Sequence, residues 1–583
     1  MTCRPRACAL TALALLAACG SSPSGGAPDA GQPVIPGSGA PAVQSFSPDV
    51  PAWRGGCFLQ GDPGKIVNAS PSPDVRPFGH AFDCVPGPGG LVYLDRYDPV
   101  AGTGDVTVLS SAPGSVPVVI GANGGAGGIV NGSTGARFDD AQARVLTLQD
   151  VSFVTGQLVV ADLPGGAPAV VANHVRVENY DFLADGGAVY VDNYRATSRT
   201  GDLYYWTAGA APQLVASQAS RFDFVMYRLA PARDQVAFLT GWTATAGGDL
   251  FVQTLPPGAP AARLAAGVDR MSWTADGHLV YLVRSSDGVT FALWIAGALA
   301  PLAASVSSAD VVGNDVVYAT GWDILSQQAT LHVSPVPAGG DLLAGASPAS
   351  LAYGLSATGQ GASALAYVLR SAADPFTGDL SVAALTSTSA SATPIDAGVS
   401  AAAGFGFAPK RGFVAYARGF ENPQSPGSAT PQPGIASELK VAAVGSPPAP
   451  FVLASSASVQ RIAWDPQEQW VAGIGSFDAA SNRGDLAVKG TADGKDLIAQ
   501  PLQRVGASAF DFGVDGQALV AIREWDDALQ RGELVLLLTS GATAWQPTAI
   551  DFDVTFYLPP HGGRVIYGVR GGGRDGLWLG GTP

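Results

Sequence analysis

Apolar residues alternate with polar ones in short runs along this chain, and turn-forming residues cut the runs at even intervals. Residues 222–268 show the pattern. Phe224, Val225, Met226 and Tyr227 form one apolar segment, closed by Pro231-Ala232-Arg233-Asp234. Gln235-Val236-Ala237-Phe238-Leu239 is the second. After a loop come Gly248 and Asp249-Leu250-Phe251-Val252-Gln253-Thr254, then a turn at Gly258, then Arg263-Leu264-Ala265-Ala266-Gly267-Val268. Segments this short, rich in β-formers and bounded by turn residues, predict strands; four of them with tight turns predict an antiparallel meander. The following stretch repeats the plan with Met271-Ser272-Trp273, the turn Ala275-Asp276-Gly277, and Leu279-Val280-Tyr281-Leu282. Equivalent turns stand at Asp185-Gly186 and Asp515-Gly516. Asp-Gly suits primed hairpin turns, which need a positive φ.

A short motif keeps time with the meanders. It stands at Gly104-Asp105-Val106, Gly201-Asp202-Leu203, Gly248-Asp249-Leu250, Gly378-Asp379-Leu380, Gly484-Asp485-Leu486 and Gly532-Glu533-Leu534. The gaps of 97, 47, 130, 106 and 48 residues read as two, one, three, two and one copies of a unit of about 48. A β-rich unit of that length predicts an all-β fold, a β-propeller of four-stranded blades. Second strands near 93, 146, 190, 238, 281, 318, 367, 416, 471, 520 and 567 count about eleven units. Single rings usually hold about four to eight blades, so the count predicts two rings with a junction near 300–350; one large ring is the alternative. The last unit stops after Gly576-Leu577-Trp578-Leu579. An N-terminal strand, Gly56-Cys57-Phe58-Leu59 or Lys65-Ile66-Val67, is expected to cover its open edge.

These features together resemble the WD-like repeats of TolB and related periplasmic propellers, over about residues 78–583. The shared pattern is an aromatic-led strand, Asp-Gly, an apolar strand ending near Arg, then Gly-Asp-Leu. No α/β domain of the TolB kind is legible before the repeats, so TolB's partners are not carried over.

The N-terminal segment reads as a targeting signal. Arg4 and Arg6 precede an apolar stretch over 7–18, too short to span a bilayer as a retained helix. It ends in Leu16-Ala17-Ala18-Cys19-Gly20, which resembles the lipobox of bacterial lipoproteins. That resemblance implies cleavage of residues 1–18, a diacylglycerol on Cys19 and an acylated amino terminus, a membrane attachment firmer than one acyl chain provides. Residues 19–50 are Gly/Pro/Ser/Ala-rich and nearly uncharged. They cannot bury enough apolar surface to fold and read as a tether with a root-mean-square reach of roughly 30 Å. Residues 51–583 form the propeller region. The expected location is the envelope of a Gram-negative bacterium, at the outer membrane.

Cys3 and Cys8 leave with the leader and Cys19 takes the lipid, so Cys57 and Cys84 are the thiols of the body. In an oxidising periplasm they form a disulfide, or else remain two buried free thiols. The formal net charge is −15, and losing Arg4 and Arg6 makes it more negative by two. An acidic body argues against a nucleic-acid partner.

An aromatic recurs four residues beyond the second-strand aromatic: Tyr97, Tyr194, Trp242, Trp322, Phe420, and Trp525 counted from Ala521, with Phe477 one place off. Ringed with Asp98, Asp323, Glu421, Asp478 and Asp526, these could line one loop face and grip a glycan or peptide. The alternative is packing between blades, since an even offset keeps a side chain on the same strand face. Arg96, Arg284, Arg370, Arg418, Arg523 and Arg570 end second strands; they could hold an anion or pair within blades. His80, His174, His278, His332 and His561 form no metal pattern. No nucleophile elbow or phosphate loop is present; the acid pairs Asp551/Asp553 and Asp526/Asp527 could bind calcium or act as acid and base, or else are solvated loop acids. Residues 422–436 are Pro/Ser/Gly-rich and read as a loop insertion. The reading is a non-enzymatic, lipid-anchored propeller without cofactor or metal, binding an envelope protein. A glycan-binding propeller and a propeller lyase or hydrolase are the alternatives.

Overall fold

The computed structural model describes residues 64–65, 82–84, 90–98, 103–110 and 115–124, nearly all of 136–337, and from 350 to 581 the strands with their shorter turns. The leader, Cys19, the tether and Cys57 lie outside the described residues, so the Cys57–Cys84 pairing does too. All named elements are strands. Among the described residues no helix is long and apolar enough to cross a membrane.

The unit legible at 222–268 is an antiparallel meander of Tyr227–Leu229, Gln235–Thr243, Gly247–Thr254 and the start of Ala262–Trp273. Tyr227 pairs with Phe238, Phe238 with Phe251, and Phe251 with Arg263. Its first strand begins later than the apolar run suggests, because the Met226 amide donates to Asn179 Oδ1 of the preceding meander at 3.0 Å instead of joining the sheet. The Asp-Gly glycines take the expected positive φ, 77° at Gly186, 89° at Gly277 and 68° at Gly516, but the turns are not the primed type: the aspartates do not share the positive φ, and each glycine closes a four-residue turn by donating to the carbonyl of Leu183, Thr274 or Gly513.

The fourth strand does not end where the sequence pattern breaks. Ala262–Trp273 continues as the first strand of the next meander, and Leu502–Phe512 and Pro547–Tyr557 do the same. At each crossing one residue pairs on both sides. Val268 lies opposite Gly248 and Val283, Val505 opposite Gly484 and Arg523, and Val554 opposite Gly532 and Val569. The hydrogen-bond ladder thus passes from one meander to the next.

This crossing explains the glycine of the Gly-Asp-Leu motif. A Cβ on Gly248 would lie 2.8 Å from the Thr240 carbonyl oxygen, on Gly484 2.4 Å from that of Gly475, and on Gly532 2.7 Å from that of Arg523. The third strand is held against a second-strand carbonyl, an approach that only a residue without Cβ permits.

Apolar layers fill the space between successive meanders. Leu203 and Val191 pack with Val236 and Phe238, Leu282 and Leu293 with Val316 and Tyr318, and Val317 and Leu331 with Leu365 and Tyr367. The last meander contributes Ile566 and Leu579 to the layer holding Val92, Leu94 and Val106 of the first. Gly64 and Lys65 complete that contact by pairing with Leu579 and Trp578. Of the two expected closing strands, the one at Lys65 is used, and residues 56–59 lie outside the described residues. The insertion expected over 422–436 is shorter than read: Ile435 and Ala436 belong to the strand Ile435–Ala443, opposite Glu421 and Phe420.

Candidate functional site

The recurring aromatics follow a backbone irregularity at the end of each second strand. Arg96, Asn193, Gly241, Gly321, Gly419, Ser476 and Glu524 all take positive φ, between 45° and 65°. The register shifts at the same places, between Asp192 and Arg195, Thr240 and Thr243, and Arg523 and Asp526. Each register shift is a β-bulge that inserts one residue into the second strand; at Gly419 the register runs on unshifted, with Arg418 opposite Glu438 and Phe420 opposite Ala436. An inserted residue reverses the side-chain alternation. Where the bulge is present, the even offset therefore carries the aromatic to the opposite face from the one expected; Phe420, with no bulge before it, packs against the same core as Tyr416. Phe238 packs with Val191 and Leu203 of the preceding meander, whereas Trp242 packs with Val268 and Met271 toward the following one. Tyr190 and Tyr194, and Ala521 and Trp525, divide in the same way. Phe477 is also in register: Gly473, two residues before Gly475 opposite Asp485, occupies the aromatic position.

The described aromatic side chains are packed. Trp525 is 8% exposed, and Phe477 is buried too. Trp242 is half-buried, and its indole Nε1 donates to the Asp269 carbonyl at 3.1 Å. Phe420 is half-buried against the core around Val399. Tyr194 is half-buried, with the Arg176 guanidinium 4.9 Å over its ring. Tyr97 and Trp322 lie on the strands Gly90–Asp98 and Asp315–Asp323, and their side chains fall outside the described residues. Trp525 is thus a packing residue and not part of an exposed face, and Tyr194, Trp242 and Phe420 present only part of their rings.

The arginines and motif acids engage each other across the second and third strands. Arg523 grips Glu533 with Nε at 2.5 Å and Nη2 at 3.0 Å, a bidentate pair. Arg96 pairs with Asp105, and Arg418 and Glu438 are 3.8 Å apart; Arg284 turns instead to Asp269 on the preceding strand Ala262–Trp273. The side chains of Arg370 and Arg570 fall outside the described residues. The motif acids also cap the outer strand. Asp105 Oδ1 accepts from the Asn123 amide at 2.8 Å and Asp202 Oδ1 from the Gln218 amide at 3.1 Å, and both donors sit at positive φ. These charges hold blades together.

The remaining candidates have local partners. Asp478 takes the Ala480 amide and the Ser481 hydroxyl, and the bonds from Ser481 and Ala480 hold its carboxyl below the usual range. Asp526 caps Leu529, Asp551 accepts from Phe552 and from the Tyr567 hydroxyl, and Asp553 pairs with Arg531 at 3.1 Å. The side chains of Asp98, Asp323 and Glu421 lie outside the described residues. His278 Nδ1 meets Asp276 Oδ1 at 3.0 Å, and His332 stacks on Tyr318 with ring centroids 4.8 Å apart. Among the described residues no group of three or more His, Cys, Asp or Glu is placed to hold a metal.

A polar staple between meanders was not legible in the sequence. Asp396 Oδ2, on Ala390–Ser400, accepts from the Tyr416 hydroxyl at 2.9 Å and from Lys440 Nζ at 2.6 Å, both in the next meander. Asp551 and Tyr567 repeat the contact at 3.1 Å. Burial works against the charge of Asp396, but Lys440 and Tyr416 outweigh it and hold its pKa below the ordinary value. A carboxylate with a depressed folded pKa stabilises the fold above its unfolded pKa, and the contribution is lost as pH falls through the folded value. Asp396→Asn is therefore expected to cost about 3 kcal/mol at pH 7. The gap to the parent protein should narrow at pH 3. Urea melts at both pH values check this, and an equal gap at both would remove the ionic account.

No protein-family model matches the chain, and no curated protein matches it. Among solved structures, a crystal structure of a eukaryotic initiation factor is 10% identical, with 81% of this chain and 96% of that chain covered and a TM-score of 0.39. The C-terminal WD40 domain of Sif2 is 10% identical, covering 62% and 96%, at 0.28. A putative TolB from Agrobacterium tumefaciens is 14% identical, covering 35% and 78%, at 0.23. Similarity at this level says nothing of what this chain binds.

Proposed function

We propose that this chain is a lipid-anchored, non-enzymatic β-propeller of a bacterial cell envelope that binds or scaffolds another envelope protein. The observation that carries this reading is the order of its N-terminal parts: basic residues, a short apolar stretch, Leu16-Ala17-Ala18-Cys19, and an uncharged tether leading to an all-β body. Gly20 and Ser21 follow the cysteine with no aspartate beside it, which by analogy with enteric sorting assigns the outer membrane. Cys19→Ser should abolish incorporation of labelled fatty acid and leave the protein unprocessed or released. Equal labelling of the variant would sink the anchor.

We infer further that the body is one ring of eleven blades. The unbroken succession of interfacial layers supports this, including the layer that spans the junction region through Val317, Leu331, Leu365 and Tyr367. So does the contact of Ile566 and Leu579 with the first meander. Two rings would interrupt that succession near 300–350.

A protein partner is favoured over a glycan because sugar binding draws on open aromatic faces, and the described aromatics of the loop end are largely packed. Pull-down from cross-linked envelopes should recover a reproducible protein partner with the wild-type chain. Saturable binding on a glycan array, with no partner recovered, would transfer the assignment to the sugar-binding reading.

A further inference from the structure

Six of the nine large apolar side chains exposed among the described residues lie at one end of the meanders, where third strands turn into fourth. Val119, Val170 and Leu214 hold one register near the start of the fourth strands Val118–Gly124, Ala169–Arg176 and Gln213–Ser220, opposite Thr107, Val159 and Tyr204. Leu264 stands one place further along in the next meander, as the extra residue between Arg263 and Ala265. Val116 and Leu299 lie just ahead of fourth strands. All six are at least 41% exposed. A single exposed aliphatic residue is ordinary. One at the same turn in each of five successive meanders makes a face.

The same turns are nearly free of charge. No Asp, Glu, Lys or Arg occurs over 107–123, 163–173, 203–220 or 288–309, and Arg263 is paired with Asp249 at 2.7 Å. A later meander holds Asp493, Lys495 and Asp496 in the equivalent turn, so the uncharged version is not a property of the repeat itself. Further in at this end, the acids of the first turns are engaged: Asp185 accepts from the Tyr205 hydroxyl and the Gly187 amide, each at 2.8 Å.

The chain enters the body at this end. Gly64 and Lys65 run antiparallel to Gly576–Gly581, opposite Leu579 and Trp578. The strand therefore starts from the Gly581 side, where a third strand hands over to a fourth. The last meander shares its apolar layer with the first, so the N-terminal arm joins the body beside the first of the uncharged turns. Aliphatic tips without charge enter a lipid interface at little desolvation cost, and a body of net charge −15 gains nothing from anionic lipid. We propose that this face rests on a phospholipid bilayer, with the exposed side chains of the first five meanders seated at the headgroup boundary. Which membrane it meets rests on the anchored reading above; the surface itself is tested without the anchor.

Flotation with phosphatidylcholine vesicles tests it, using the chain from Gly20 onward, which keeps every described residue and lacks the leader and Cys19. The protein should float equally well in low and high salt. Val170→Ser, Leu214→Ser, Leu264→Ser and Leu299→Ser combined should weaken flotation about tenfold or more, with an unchanged thermal melt. Leu529 and Phe552 are exposed at the opposite end, so Leu529→Ser with Phe552→Ser should leave flotation unaltered. No flotation, flotation abolished by salt, equal flotation of the fourfold variant, or an equal loss in the control overturns the proposal. So does a wild-type dimer that the fourfold variant loses without any flotation, which would give the face to a second copy. Failure of the fatty-acid labelling test would remove the anchor and leave the vesicle result standing.

Discussion

Trp525→Ala should destabilise the protein by about 3–5 kcal/mol, the range for truncating a large aromatic in a packed core. Trp525 is 8% exposed and packs with Ile522, Leu534, Leu536, Val554 and Val569 between two meanders. Little of its ring reaches solvent, and its removal leaves a void in a layer that joins consecutive units. Trp242→Ala should cost less, about 2 kcal/mol, since its ring is half-buried and one indole hydrogen bond to Asp269 is lost. Urea melts of the two single variants separate packing from recognition. A near-neutral Trp525→Ala would mean that its ring is not part of the core, and it would restore the loop aromatics as a binding face.

The second large effect is expected from a single added methyl group. In Gly484→Ala the new Cβ would lie 2.4 Å from the Gly475 carbonyl oxygen and 2.5 Å from Ile474 Cγ2. The carbonyl belongs to the backbone of the neighbouring strand, so relief requires the ladder to open. The expected cost is about 3 kcal/mol, at the upper end of ordinary overpacking. Gly258→Ala is the matched control: its Cβ meets nothing within 4 Å and its backbone is not left-handed. It should be neutral or stabilise by about 0.5 kcal/mol through the unfolded chain. Equal losses in the two variants would show that close approach is not what the motif glycine provides.

Both expectations rest on a feature that strand periodicity does not carry. Period-two counting placed the aromatics on the same face as Phe238 or Tyr190. The bulge at the intervening residue puts them on the other. The residues at that position were a usable signal, since Asn193, Gly241 and Gly321 are types that tolerate positive φ. Read as bulge markers, they would have assigned Trp242 to the following interface. Arg96, Ser476 and Glu524 occupy the same conformation without that signature, so no residue-type rule finds every copy.

The sequence by itself determined what depends on near neighbours: strands from short apolar segments, hairpins from Asp-Gly at Gly186, Gly277 and Gly516, and a meander repeated at a fixed interval. It also held the pairing of arginines such as Arg523 with the motif acids, because both recur at set places in each unit. Tertiary structure decided what joins residues far apart in the chain. Lys65 reaches Trp578, and Asp396 reaches Lys440. A fourth strand crosses into the next unit at Val268. Local pattern encodes the shape of one blade, because its hydrogen bonds and turns close within a few dozen residues. The face each aromatic occupies and the contacts between blades depend on register, and register is settled only when the sheets pair and their apolar layers meet.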